Sequence, residues 1–208
     1  LQQERIAHLK EYKKGMMQRI FSQEIRFKDE NGQDYPDWEE KKLGEVVKRK
    51  KGKVVEFTNN GEYPVIEIEY FNTGRIMNYT NTDNGVWCEE KDVLLLWDGS
   101  QSGNIFTNIS GIVGSTIMRL RPINVNNVFL TLALKHDKLY IKSIREGSGI
   151  PHIPKDFLTH YVVNLPSLPE QQKIANFLSS IDKKIELEEE KLTKLKELKK
   201  GLMQRMFV

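Results

Sequence analysis

The stretch SLPEQQKIANFLSSIDKKIELEEEKLTKLKELKKGLMQRMF, residues 167–207, dominates the chain. Ser167 and Glu170 have the spacing of a capping box, and Pro169 falls in the first turn, where a missing N–H matters little. No further Gly or Pro appears before Gly201, so the stretch predicts one long helix. At about 1.5 Å per residue, forty helical residues span roughly 60 Å.

Apolar residues recur along this stretch at alternating intervals of three and four. Such spacing is the heptad pattern of a coiled coil, although Glu188 and Lys199 interrupt it. The pattern therefore predicts a helix-pairing interface that consists of Ile174, Leu178, Ile181, Ile185, Leu192, Leu195, Leu202 and Met206.

The two ends of the chain repeat one another. EYKKGMMQRIF at residues 11–21 matches ELKKGLMQRMF at residues 197–207, with eight of eleven positions identical. This repeat indicates that residues 1–21 are the end of a helix whose complete version closes the chain. We expect a piece of a longer protein built as domain, helix, domain, helix. The far half of the long helix then lacks its partner, and its apolar stripe would pair two copies as a two-fold dimer.

Composition sets bounds on the class of protein. Charged residues make up 29% of the 208 residues, yet the net charge is only +3, so clusters of charge matter more than the total. A single cysteine, Cys88, excludes an internal disulfide framework and fits a reducing cytoplasm. No apolar run approaches the length of a membrane span. We predict a cytoplasmic protein with no membrane partner.

The fold class predicted from the pattern is α+β, with a β-rich globular domain between a truncated N-terminal helix and a long C-terminal coiled-coil helix. The expected parts are a helix end at 1–21, a polar linker at 22–40, the globular domain at 41–166 and the long helix at 167–208. One helix is predicted over residues 128–144, with Asn127 as its N-cap. Strands are predicted near residues 46–47, 54–57, 65–68, 75–79, 93–97, 112–121 and 161–165.

A basic cluster opens the globular domain. Seven Lys and Arg residues fall within residues 41–53, against Glu45 alone. Such a cluster suggests contact with nucleic-acid phosphates, although lysines also protect the edges of strands. The candidate phosphate-binding residues are Lys48, Arg49, Lys50, Lys51 and Lys53.

Two loops carry short polar side chains. DGSQSGN at residues 98–104 follows the most apolar predicted strand, and a second loop covers residues 147–154. Backbone N–H groups of a glycine-rich loop can approach phosphate, and amide side chains can pair with an adenine edge. A plain turn is the alternative for each loop. The candidate base-reading residues are Gln101, Ser102, Asn104, Arg145 and Ser148.

Signatures of catalysis are absent from the sequence. It has no P-loop and no nucleophile elbow, and Asp37, Glu39 and Lys41 imitate a nuclease cluster only superficially, on what reads as a polar linker. We predict no catalytic activity, no cofactor and no metal site. No ligand spacing relates Cys88 to the four histidines, His8, His136, His152 and His160.

The junction between the domain and the long helix resembles a known family. LPSLPEQQKIANFLSSIDKKI, residues 165–185, is similar to the sequence that leads into the spacer helix of type I restriction–modification specificity subunits. There an L-P-x-L-P-E-Q-like turn precedes I-A-x-x-L and I-D-x-x-I on the helix. WEEKKLGEV, residues 38–46, is similar to the start of that family's target-recognition domains. The resemblance covers nearly the whole chain.

The resemblance implies two recognition domains per subunit, separated by two antiparallel helices. Each domain would read one half of a split double-stranded DNA target. Two methyltransferase subunits, and through them restriction subunits, would dock on this non-catalytic component of a DNA-methylating and DNA-cleaving complex. The helix would then set the half-site spacing, because roughly 60 Å corresponds to about 17 base pairs. A coiled-coil tether without DNA specificity remains the alternative, whereas a nuclease or methyltransferase would need a metal or cofactor site.

Overall fold

The computed structural model describes residues 1–206, without the side chains of Arg205 and Met206. In the described residues a long helix precedes and another follows a β-rich domain, which confirms the predicted fold class. The elements are α1 (Gln2–Phe21), β1 (Glu39–Lys42), α2 (Leu43–Val46), β2 (Val47–Lys51), β3 (Tyr63–Ile66), α3 (Ile68–Thr73), β4 (Asn78–Thr80), β5 (Trp87–Cys88), β6 (Val93–Leu96), β7 (Ile105–Phe106), β8 (Gly111–Val113), β9 (Ile117–Pro122), α4 (Asn127–His136), α5 (Lys138–Ser143), α6 (Phe157–His160), β10 (Val162–Leu165) and α7 (Leu168–Met206).

The chain divides into two compact units. The helical unit contains residues 1–34 and residues 172 onward, and the globular unit contains residues 35–171. The domain bounds drawn from the sequence, a linker at 22–40 and a recognition domain at 41–166, stay a prediction.

Two four-stranded sheets form the framework of the globular unit. The first has the order β2-β9-β6-β7 and is antiparallel throughout. The second has the order β4-β3-β8-β5, with β3 and β8 parallel and the other pairs antiparallel. A separate two-stranded sheet pairs β1 with β10, so that Glu39 lies opposite Leu165.

The central strand β6 is buried on both faces. Leu94 and Leu96 belong to the core cluster shared with Ile66 and Val113 of the second sheet. Because side chains alternate along a strand, Val93 and Leu95 point to the opposite face from Leu94 and Leu96. We infer that α4, which contacts β6 and β7, covers that face. An uninterrupted apolar run, VLLL, is what a strand buried on both sides requires.

The helix predicted over residues 128–144 is in fact two helices. Its N-cap is Asn126 rather than Asn127, because the Asn126 Oδ1 accepts a hydrogen bond of 2.9 Å from the Phe129 N–H. The first helix ends at His136, and Asp137 separates it from α5. The hydroxyl of Tyr161 donates to the Asp137 carboxylate at 2.6 Å. This contact at the junction comes from 24 residues along the chain, where the local pattern gives no signal for it.

Other element predictions also needed correction. Residues 54–57 form no strand, and the run 112–121 comprises two strands, β8 and β9, which belong to different sheets. Gly114 lies between these strands, and its N–H donates to the Ile66 carbonyl at 2.9 Å. The short helix α3 directly follows β3 and was not predicted.

In the helical unit, α1 lies alongside the first half of α7 in the antiparallel direction. Lys13 bonds Asp182 at 2.5 Å, and an Arg5 guanidinium nitrogen lies 3.7 Å from a Glu188 carboxylate oxygen. Moving along the chain past α1, the Phe27 ring meets the Phe177 ring edge-on, with centroids 5.6 Å apart. As the residue numbers rise from Arg5 to Phe27, the numbers of their contacts on α7 fall from 188 to 177, so the two segments are antiparallel.

The helix α7 runs unbroken from Leu168 to Met206, as the sequence pattern predicts. The predicted capping box does not form through Ser167, whose Oγ is buried without a hydrogen-bond partner. No helix in residues 1–206 is both long enough and apolar enough to cross a membrane.

Burial along α7 divides the predicted helix-pairing residues into two groups. Ile174, Leu178, Ile181 and Ile185 are buried and Leu192 is half-buried. Further along, Leu195 is 53% exposed and Leu202 is 52% exposed. The side chain of Met206 lies outside the described residues. The pairing surface is therefore covered in its first half and open in its second.

Candidate nucleic-acid interface

The two polar loops predicted from the sequence lie side by side. The Gly99 N–H donates to the Pro151 carbonyl at 2.8 Å. Arg145 joins the loops a second time, because its Nη1 donates to the Ser100 carbonyl at 3.1 Å while its Nε donates to the Lys142 carbonyl at 2.9 Å. Residues 98–104 and 145–152 thus form one polar surface, which we call the loop surface.

Glycine makes the first loop tight. Gly99 and Gly103 have φ values of 97° and 85°, a region that side chains with a Cβ rarely adopt. A Cβ on Gly103 would also stand 3.0 Å from the Lys142 Cγ. The Gly103 N–H donates to the Leu96 carbonyl at 2.8 Å, so the loop folds back on the end of β6.

The structure places the candidate base-reading residues at different depths. Ser148 is exposed, whereas Gln101, Asn104 and Arg145 are half-buried. Ser102 is fully buried, and its Oγ has no hydrogen-bond partner among the described residues, 1–206. Ser102 therefore cannot reach a base from this position, because the turn directs its side chain into the protein.

Amide side chains form a chain of hydrogen bonds on this surface. The Asn104 Nδ2 donates to the Gln101 Oε1 at 3.2 Å, and the Gln101 Nε2 donates to the Asn72 Oδ1 at 2.9 Å. Asn72 lies in α3, which precedes residues 98–104 in the chain, whereas Arg145 follows them. Asn72 was not singled out from the sequence, since nothing local distinguishes it from other exposed asparagines.

The basic cluster lies on an edge strand. Lys48, Arg49, Lys50 and Lys51 are exposed members of β2, which is an edge strand paired with β9 among the strands of residues 1–206. Lys51 Nζ lies 2.6 Å from an Asp98 carboxylate oxygen, so its charge is compensated within the protein. Lys53 follows the strand and is exposed. This placement suits phosphate contact, and it equally suits lysines that protect a strand edge.

A second basic group was missed in the sequence. Lys138, Lys142 and Arg145 follow one another at intervals of four and three residues, a helical spacing that a closer reading could have found. Burial lowers the pKa of Lys142, and the positive charges of Lys138 and Arg145 lower it further. A bound anion would relieve this repulsion. The group borders the loop surface, because Lys142 packs against Gly103.

The nuclease-like residues are better ordered than the sequence suggested. Glu39 and Lys41 lie on β1 rather than on a solvated linker, because β10 pairs with this strand. The Lys41 Nζ lies 2.9 Å from a Glu39 carboxylate oxygen, and both residues line a cavity of about 260 Å³ together with Asp37. Within residues 1–206, no group of three or more His, Cys, Asp or Glu residues is arranged to hold a metal ion.

Two further buried titratable groups, Cys88 and Asp92, have structural partners. Burial raises the pKa of the Cys88 thiol to about 11, which keeps it protonated, and the thiol lies 3.5 Å from the Ile109 carbonyl oxygen. Asp92 is 1% exposed and forms an ion pair with Arg121. Within residues 1–206, the hydrogen bonds and ion pairs found for Cys88 and Asp92 involve no residue of the loop surface.

Comparison with known proteins gives a consistent result. Residues 35–197 match the model of the type I restriction modification DNA specificity domain. The MjaVIII type I restriction enzyme specificity subunit of Methanocaldococcus jannaschii is 35% identical over 195 residues, which cover 90% of this chain and 46% of the relative. The EcoDI specificity subunit of Escherichia coli is 29% identical over 171 residues, covering 81% and 36% respectively. The chain thus spans less than half the length of these relatives.

Solved structures share the fold. The HsdS subunit from Thermoanaerobacter tengcongensis superposes with a TM-score of 0.69 at 19% identity, over 99% of this chain and 52% of that one. The S subunit from M. genitalium superposes with a TM-score of 0.59 at 21% identity, over 81% and 44%. The match to the specificity-domain model covers most of the sequence, and it agrees with the resemblance at the 165–185 junction. This chain belongs to the type I restriction–modification DNA specificity domain family.

Proposed function

We propose that this chain is a non-catalytic DNA-reading component of a type I restriction–modification complex. Its globular unit would recognise one half of a split double-stranded DNA target. The observation that carries this proposal is the loop surface, where two distant loops and α3 bring amide and guanidinium groups together beside Lys138 and Lys142. Such an arrangement suits a division of labour between phosphate contacts, which position, and base contacts, which specify.

The phosphate contacts would come from two groups. Lys138 and Lys142 border the loop surface, and the exposed strand β2 contributes Lys48, Arg49 and Lys50, with Lys53 after its end. Lys51 would contribute less, because Asp98 already compensates its charge. Base discrimination would come from the exposed and half-exposed polar groups of the loop surface, Gln101, Asn104, Arg145 and Ser148, at about 1–3 kcal/mol for a bidentate contact.

The partners of the proposed complex are two methyltransferase subunits and, through them, restriction subunits. Membership of the specificity family supports this assignment, as does the similarity to two specificity subunits of type I restriction enzymes. The long helix α7 would set the distance between half-sites. The complex would act on double-stranded DNA in the cytoplasm, and no cofactor is proposed for this chain itself.

A second copy of this chain could pair with it and supply the other half-site. The supporting feature is the open second half of α7, where Leu195, Leu198, Leu202 and Met203 are 53%, 60%, 52% and 49% exposed. Four large apolar side chains on one exposed helix are typical of a pairing surface. The same feature would serve a coiled-coil tether without DNA specificity, which is the alternative function.

Selection of bound duplexes from a random pool tests the two functions against each other. The chain is purified together with its methyltransferase subunits, and the bound DNA is sequenced. DNA recognition predicts that one half-site motif is enriched. A tether predicts no enriched motif, and duplex binding no stronger than that of the methyltransferase subunits alone.

A further inference from the structure

The hydrogen-bond chain Asn104–Gln101–Asn72 has a defined direction. Each amide nitrogen donates to the next amide oxygen, so reversing Gln101 alone would oppose two donors at one end and two acceptors at the other. At present the Asn104 Oδ1 is the buried atom without a hydrogen-bond partner. Reversing all three amides would put the Asn104 NH₂ group in its place, with two unpaired donors. Buried N–H groups without a partner are rarer in proteins than buried oxygens with an unused lone pair, so the present orientation is favoured. The orientation of the three amides is therefore determined by their depth in the protein.

Asn72 is the outer end of this chain. It is exposed, and its Oδ1 accepts one hydrogen bond from Gln101, which leaves a second lone pair. Its hydrogen bond to Gln101 uses the Oδ1, and no hydrogen bond from its Nδ2 is found within residues 1–206. Gln101, in contrast, is half-buried and its amide bonds at both ends. Asn72, which adjoins the loop surface, thus has an oriented acceptor and two available donors.

The backbone under Asn72 is held on the core. The ring of Phe71, the preceding residue, stacks on Phe106 with centroids 3.7 Å apart and an interplanar angle of 20°. The helix α3 ends at Thr73, and the next residue, Gly74, is left-handed and donates its N–H to the Tyr70 carbonyl at 2.7 Å. The Asn72 side chain is therefore preorganised for a directional contact, because its helix end is anchored and Gln101 orients its amide.

We propose that Asn72 reads a base in the major groove and that Gln101 acts as its positioning residue. This inference rests on the proposed function. It assigns the base contact to Asn72 and gives Gln101 an indirect role. An amide with adjacent acceptor and donor matches the edge of adenine, whose N6 amino group donates and whose N7 accepts. Asn72 Oδ1 would accept from N6 while Nδ2 donates to N7. The partner is therefore an A·T pair within the half-site.

Random-pool selection with the assembled complex tests the assignment. The unchanged chain is expected to enrich adenine at one position, and Asn72→Ala should lose the preference at that position alone, by roughly 5- to 150-fold. Gln101→Glu retains an acceptor for the Asn104 Nδ2 but cannot donate to Asn72. The Asn72 amide would then turn its NH₂ group inward, so this variant should lose the same preference although Asn72 is intact.

Controls separate reading from folding. Asn164→Ala changes an exposed asparagine of β10 and should leave the motif intact, and thermal melting of each variant monitors the fold. If Asn72→Ala melts early, Asn72→Asp, which keeps the acceptor for Gln101 but lacks the donors, decides the question in its place. A wild-type motif that persists in the Asn72 variants overturns the inference and leaves the proposed function standing. A wild-type chain that enriches no motif overturns both.

Discussion

Arg121 donates two parallel hydrogen bonds to Asp92, from Nε to Oδ1 and from Nη2 to Oδ2, each 2.8 Å long. Asp92 is 1% exposed, so its carboxylate is shielded from water and pairs with this guanidinium instead. The hydrogen bonds to Asp92 raise the pKa of Arg121, and Glu89 lies 3.1 Å from the same guanidinium. Because β9 carries Arg121 and Asp92 immediately precedes β6, the pair links the two central strands of the first sheet.

Replacement of Arg121 by Met should therefore destabilise the globular unit. Removing one partner leaves a buried, uncompensated carboxylate, which costs about 3–5 kcal/mol. Adding Asp92→Asn to this variant should recover part of the loss, since the charge is then removed. Urea unfolding measures both effects, with the exposed Arg49→Met as the matched control. Equal stability of the Arg121 and Arg49 variants would contradict the role given to the pair.

Lys48→Ala combined with Lys50→Ala should weaken DNA binding by the assembled complex to all duplex sequences alike. Loss of two phosphate contacts should reduce the slope of log affinity against log salt by about 1.8. Titrations at several salt concentrations measure the slope. The pair Lys194→Ala and Lys196→Ala, exposed lysines of α7, serves as the control. An unchanged slope would leave β2 with the role of a protected strand edge.

The Tyr161–Asp137 hydrogen bond should make stability depend on pH at both ends of the range. Burial raises the pKa of Tyr161, and so does its bond to Asp137. Burial also raises the pKa of Asp137, but hydrogen bonds from His136 and Tyr161 outweigh this and hold it below the ordinary value. The Asp137 contribution is thus present above about pH 4 and lost as pH falls below it. The Tyr161 contribution is present below about pH 10 and lost as pH rises through the folded-state pKa.

Tyr161→Phe should reduce the free energy of unfolding by about 1–2 kcal/mol at neutral pH and flatten both limbs of this profile. Urea unfolding between pH 3 and pH 11 measures the change. Tyr140→Phe, at a more exposed tyrosine that stacks on Tyr161, is the control. Superimposable profiles for the Tyr161 variant and the unchanged chain would show that the bond makes no net contribution.

Insertion of seven helical residues between Lys194 and Leu195 should lengthen the gap between half-sites. Seven residues preserve the heptad phase and add about 10 Å, which corresponds to about 3 base pairs. The bases read should stay the same, because the globular unit is untouched. Footprinting of the assembled complex on the selected duplexes measures the gap. Altered bases at a constant gap would refute the role of α7 in spacing.

Leu198→Glu with Leu202→Glu should prevent self-association of the chain. Both side chains are more than half exposed on α7, and a charge at each would oppose burial against a second copy. Sedimentation over a range of concentrations should show dimers for the unchanged chain and monomers for the variant. Leu139→Glu, at an apolar residue of α5 that is 83% exposed, should still dimerise. A monomeric unchanged chain at high concentration would exclude the dimer.

The long helix was predictable because its signals are local. The heptad spacing, the absence of Gly and Pro between Pro169 and Gly201, and the junction at residues 165–185 all lie within one continuous stretch. Helix formation depends on neighbours three and four residues apart. The apolar run of β6 likewise indicated a buried strand. For the same reason, the sequence predicted polar loops at 98–104 and 147–154.

Contacts between distant residues decided the remainder. Tyr161 binds Asp137, at the junction of α4 and α5, from 24 residues along the chain, and the tight turn at Gly103 buries Ser102. Gln101 meets Asn72 from 29 residues along the chain. Sequence alone determined the helix, the fold class and the family, because periodicity and motif are properties of consecutive residues. Only the tertiary structure determined which amide faces outward, because that depends on how separate elements pack against one another.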